Sequence, residues 1–170
     1  MKTIIKTAMC ALSLVLMSSC TYKSDDDMAR EEYISVVNNI LQKNDKELKN
    51  LFAYNVSSKI SNFDEQVSKL ISYVSGTYIS SQYTGTGAQY TIDGFKQVRF
   101  LPMAACELYT TDSKYYFSLL YCCIDDYDDK NIGIWNLLVQ KCSDEDDAFI
   151  PYSSYEEWKN SDKYRGITLI

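Results

Sequence analysis

The chain has 170 residues, 46% apolar and 24% charged, enough for one domain with a real core and too short for two comfortable ones. Its formal net charge of -6 repels phosphate backbones and anionic headgroups, so no nucleic-acid partner is expected. It has no histidine, which removes the commonest general base, the commonest metal ligand and every Ser-His or Cys-His catalytic pair.

The chain opens with Lys2 and Lys6, followed over residues 7–17 by a mostly apolar run. That run is too short to cross a hydrocarbon core of about 30 Å, which takes roughly 20 helical residues. It matches the core of a signal peptide, ending in the small residues Ser18 and Ser19 before Cys20. The segment resembles the cleavage box of bacterial lipoproteins, with Met17 where leucine is usual and Ser19 where glycine or alanine is commoner. The resemblance implies a signal peptide over residues 1–19 and a mature chain that begins at Cys20 and carries acyl chains such as palmitate. The protein is then expected on the extracytoplasmic face of the cell membrane. Residues 20–27, ending in "YKSDDD", read as the lipidated cysteine and a solvated acidic tether.

From Met28 the apolar spacing turns helical, with Met28, Tyr33, Ile34, Val37, Ile40 and Leu41 as one stripe. Asn44 with Glu47 reads as a capping box for a second helix that turns Leu48, Leu51 and Phe52 inward. Asn62 is placed to cap a third, whose stripe is Phe63, Val67, Leu70, Ile71 and Val74 and whose stop is Gly76. Strands follow: residues 77–83, a turn at "TGTG", a short strand at 90–92, and a long one over 97–110 with a bulge or edge expected at Pro102. Residues 115–124, "YYFSLLYCCI", read as a strand covered on both faces. The turn "DDYDDKN" leads to a strand over 132–142, and an acidic loop over 143–147 to a short helix capped by Ser153 or Ser154 and ending near Trp158. Residues 166–170 read as a last strand, and the 15 tyrosines favour a sheet-rich body.

Helices first and a strand meander after them define an α+β fold, in a single domain over residues 28–170. The expected architecture is N-terminal helices packed on a curved antiparallel sheet. That layout resembles the nuclear transport factor 2-like, or cystatin-like, superfamily and its cone-shaped sheet. More narrowly, "NFDEQVSKLISYVSG", "YYFSLLYCCIDDYDDKNIGIWNLLV" and the terminal "YRGITLI" resemble a family of bacterial lipoproteins known as domain of unknown function 5104. In that family an "FDEQI" helix and a "D-N-IGI" pattern recur, and neither implies an activity.

Beyond Cys20, Cys106, Cys122, Cys123 and Cys142 remain in the mature chain. Hairpin registers counted from the turns set Cys106 against Leu119, Cys122 against Met103, Cys123 against Gly133 and Cys142 against Lys114. No two cysteines then face each other as a disulfide requires, so free thiols are expected. Without histidine or CxxC spacing no zinc site is expected, and the acidic clusters lack the calcium-loop pattern, so they read as solvated turns. No cofactor or metal is called for.

For a ligand, the expected concave-face contacts are Arg99, Glu107 and Tyr109 on one face of their strand, with Tyr121 and Trp135 on its neighbours. The same residues also fit an Arg99/Glu107 surface pair with aromatic core side chains. The sequence therefore points to a non-catalytic module that binds a small apolar or peptide ligand, or a protein, including a second copy as a homodimer. The alternative is a small enzyme that uses Asp, Glu or Tyr for acid–base work in the concavity.

Overall fold

A computed structural model describes residues 23–142 and 165–170. The expected signal peptide, Cys20, the acidic loop over 143–147 and the helix near Trp158 lie outside the described residues.

Helix α1 spans Asp25–Leu41. Ser24 caps it, its hydroxyl accepting from the Asp27 amide, and Asp25, Asp26 and Asp27 set negative charge at the positive end of the helix dipole. The acidic stretch read as tether is thus, from Asp25 on, the first helical turn. The buried stripe is Ala29, Tyr33, Val36, Val37 and Ile40, rotated from the expected one so that Ile34 is exposed. The Tyr33 hydroxyl donates to the Glu107 carbonyl at 2.6 Å and fixes the helix on the sheet.

Helix α2 spans Asp45–Asn50 with the expected Asn44 cap, and α3 is the single turn Tyr54–Ser57. Helix α4 spans Phe63–Tyr73 and buries Phe63, Val67, Leu70 and Ile71. Asn62 makes no capping bond; its side-chain oxygen accepts from Gln66 instead, and Asp64 and Glu65 supply the first-turn charge.

The six strands of the described residues are β1 Tyr78–Gln82, β2 Gln89–Asp93, β3 Lys96–Thr110, β4 Lys114–Asp125, β5 Gly133–Cys142 and β6 Gly166–Leu169. They form one open sheet in the order β1-β3-β4-β5-β6, with β2 beside the first part of β3 and β1 beside the last. Each of these pairings is antiparallel except that of β5 with β6. Strand β4 is buried on both faces, as its unbroken apolar run requires: Phe117, Ser118, Leu119 and Leu120 are all buried. The main core lies between the helices and one sheet face, where Tyr33, Leu48, Phe63 and Leu70 meet Leu101, Met103, Phe117 and Leu137.

Register breaks decide which side chains share a face. Pro102 pairs with Leu120 without a bulge; the irregularity falls between Met103 and Cys106, where Ala105 takes φ +56°. Before it Leu101 and Met103 point into the core, and after it Cys106 and Leu108 do. The β3–β4 turn sets Cys106 against Phe117, and beyond the irregularities at Ala105 and after Leu120, Cys122 lies against both Phe100 and Gly133. Only Cys142 keeps its expected partner, Lys114. The four cysteines among the described residues are free thiols, three of them buried.

Candidate functional site

The bulge at Ala105 separates residues that regular alternation would have put together. Arg99 points to the helix side, where its guanidinium meets the Asp25 carboxylate at 2.8 Å. Glu107 and Tyr109 lie on the opposite face, so the three do not share a face, and Arg99 and Glu107 do not pair. Glu107 binds Lys114 at 2.8 Å through one oxygen and accepts from the Tyr109 hydroxyl at the other. Burial acts to raise the Glu107 pKa, yet hydrogen bonds from Lys114 and Tyr109 prevail and hold it below the ordinary carboxylate value. Lys114 also donates to the Tyr116 hydroxyl at 2.7 Å and lies over that ring. This is a closed ion-pair network, with its carboxylate committed to partners already present.

Trp135 is the extra residue of the β5 bulge, and its indole nitrogen donates to the Asn131 carbonyl at 2.7 Å. Its ring stands edge-on to Phe100 at 5.1 Å and carries the Arg165 guanidinium 5.5 Å from its centre. Tyr121 faces the helices, and its hydroxyl is pushed up to about 12, first by burial and then by the charge of Glu32.

Sequence reasoning passed over Glu32. It lies in the buried arc of α1, three residues after Ala29 and four before Val36. That placement, an acid at a core position of the helix, was the available signal. One carboxylate oxygen is buried without a hydrogen-bond partner, and desolvation pushes the pKa up to about 7. Beside it on β4 stand Tyr121 and then Cys123, whose thiol donates to the Arg99 carbonyl. This inner end of the helix–sheet boundary thus holds an acid that changes charge near neutrality and a tyrosine.

A second feature lies farther along α1. Between that helix and the edge strand β1 runs a groove of about 440 Å³, lined by Ile34, Val37, Asn38, Leu41, Gln42, Tyr78 and Ser81. Ile34 and Tyr78 are 45% and 48% exposed across it, with amides and a hydroxyl at the rim. This combination of apolar walls and a few polar groups suits an apolar ligand or side chain. Among the described residues, no group of three or more Cys, Asp or Glu side chains is placed to hold a metal ion, and no helix is long and apolar enough to cross a membrane.

The motifs singled out in the sequence fold into one clamp. Asn55 of α3 donates to Asp128 at 2.7 Å and to Asn131 at 2.8 Å, and Asn131 donates to Asp125 at 2.9 Å. Gly133 then lets the backbone of residues 51–53 lie against β5, with Ile134 and Leu51 bonded at 2.8 Å and Ala53 and Ile134 at 3.1 Å. Phe63 of the "FDEQ" helix packs edge-on to Phe52 at 4.9 Å, and Gln66 accepts from the Ile167 amide of "YRGITLI" at 3.2 Å. These residues join helices to sheet; they do not form a reactive centre.

The protein is thus a mixed α+β domain with a six-stranded open sheet. It belongs to the family described as "Domain of unknown function (DUF5104)", whose model matches residues 35–145. The terminal "YRGITLI" lies beyond the matched residues. No curated protein matches the chain.

Proposed function

We propose that this chain is an exported lipoprotein, held by acyl chains on Cys20 at the extracytoplasmic face of the membrane, whose domain binds an apolar ligand or peptide segment. The observation that carries the binding reading is the α1–β1 groove: Ile34 and Tyr78 are left half exposed to line an open cleft, while Glu107 and Arg99 are closed into ion pairs. Helices followed by a strand meander support a cone of the nuclear transport factor 2-like type. The charged start, short apolar run and Ser18-Ser19-Cys20 junction support lipidation.

A thermal-shift screen of the purified protein with apolar small molecules and hydrophobic peptides tests this reading. A ligand at 100 times its Kd stabilises by about 2.7 kcal/mol, a readily measured rise. Ile34→Asp should abolish that rise while changing the unliganded stability by only about 0.5 kcal/mol, since residue 34 is exposed. A panel that never shifts the melt, or a shift that Ile34→Asp retains, would reject the groove.

The half-buried Glu32 beside Tyr121 favours a second reading, acid–base catalysis. Under it, a ligand found by the screen is chemically altered by the wild type and left intact by Glu32→Gln. Under the binding reading neither protein alters it.

A further inference from the structure

The hairpin of β2 and β3 ends in an exposed run, with every residue from 90 to 96 exposed. Its two-residue turn is Gly94–Phe95, between the paired Asp93 and Lys96, with Gly94 at φ +62° as a tight hairpin turn needs. Phe95 at the tip is fully exposed, and Tyr90 and Ile92, alternate residues on one side of β2, are more than half exposed. An apolar tip of this kind on a soluble surface marks a contact with something apolar.

Its position says with what. Asp25, the first residue of α1, is tied to Arg99, and Arg99 pairs with Tyr90 of the hairpin. The start of α1 and the hairpin tip therefore lie at the same end of the sheet. Cys20 is five residues before Asp25 and so within about 18 Å of it by covalent reach. The tip is four residues from Arg99 along β3, about 14 Å. One bilayer surface is within range of both.

We propose that the β2–β3 hairpin is a second, noncovalent membrane contact, in which Phe95 and Ile92 enter the headgroup–acyl boundary while the lipid on Cys20 holds the chain. The proposal rests on the lipid anchor proposed above. Aromatic side chains suit that boundary, and insertion is driven by apolar burial. Charge specifies the lipid further: Asp93 and Asp126 flank the tip, and Lys96, over the Tyr127 ring at 4.6 Å, stands beside these acids. The surface is therefore zwitterionic rather than anionic.

Two contacts fix the domain's orientation as one alone cannot. The α1–β1 groove lies beside the last part of β3 and so faces away from the membrane.

The test uses the full chain made in a bacterium that processes lipoproteins, reconstituted into phosphatidylcholine vesicles with brominated acyl chains. Phe95→Trp puts a fluorophore at the exposed tip. Lys46→Trp puts one on exposed α2, beyond the far end of a helix about 25 Å long. The emission added by Phe95→Trp should shift to the blue and be quenched by the bromines, and that added by Lys46→Trp should do neither. Protein that floats with the vesicles but leaves Phe95→Trp unquenched, or quenches both positions equally, overturns the hairpin contact and leaves the anchor standing. Protein that fails to float overturns both.

Discussion

Gly133→Ala is expected to destabilise the folded protein by roughly 4 kcal/mol, a large effect for a single methyl group. Gly133 sits at φ +126°, where a side chain is strained, and an added Cβ would lie 2.6 Å from the Ala53 nitrogen and 2.9 Å from the Leu51 oxygen. Both are backbone atoms, so no rotamer change relieves the clash. Either the β5 start or the 51–53 segment must move, and with it go the hydrogen bonds at Ile134 and the packing of Phe52 on Phe63. For a domain of this size the loss should lower Tm by about 10 °C. Gly87→Ala is the matched control, because nothing lies within 4 Å of its added Cβ and its φ is unstrained. Thermal melts in which the two variants behave alike would show that the clamp does not hold the helices to the sheet.

Glu32→Gln is expected to make the protein more stable at pH 8 and to flatten its stability between pH 5 and 7. Burial raises the Glu32 pKa from 4.5 to about 7 in the folded state. Below pH 4.5 the carboxyl is neutral folded and unfolded, and no stability is lost. As pH rises from there, the unfolded chain releases the proton while the folded one retains it, so stability falls. The loss is complete above about pH 7 and is on the order of 3 kcal/mol. The window is clean because the protein has no histidine, and burial pushes the Cys122 thiol up to about 12. Urea titrations at pH 5 and pH 8 read the effect. Parallel losses in wild type and variant would mean that Glu32 ionises as an ordinary surface acid.

The elements themselves were legible because periodicity is a strong signal. The apolar run of β4 announced a strand covered on both faces, and the stripe Phe63, Val67, Leu70 and Ile71 announced α4. What the sequence hid was register. An alanine at φ +56° has no turn chemistry to betray it, yet Ala105 moves Glu107 and Tyr109 to the face opposite Arg99. The expected site rested on unbroken alternation through that point, and so it dispersed.

The helical phase was hidden in a similar way. Reading Ile34 as core fits composition, but with Tyr33 bonded to Glu107 α1 is turned so that Ile34 faces the groove, and Glu32, which that reading passed over, is half buried. The "D-N-IGI" pattern was visible without its meaning. In the fold it is a set of hydrogen bonds from Asn55 to Asp128 and Asn131, completed by a glycine that lets two backbones touch.

The molecule thus has two working ends. In the proposed arrangement, the start of α1 and the Phe95 hairpin face the bilayer at one, and at the other the groove beside β1 faces outward. That account depends on Cys20, and the intact mass of the protein purified from bacterial membranes tests it most directly. The account predicts a chain that begins at Cys20 and is heavier than its amino acids by a diacylglyceryl group. An unmodified chain, or one that still begins at Met1, would contradict it.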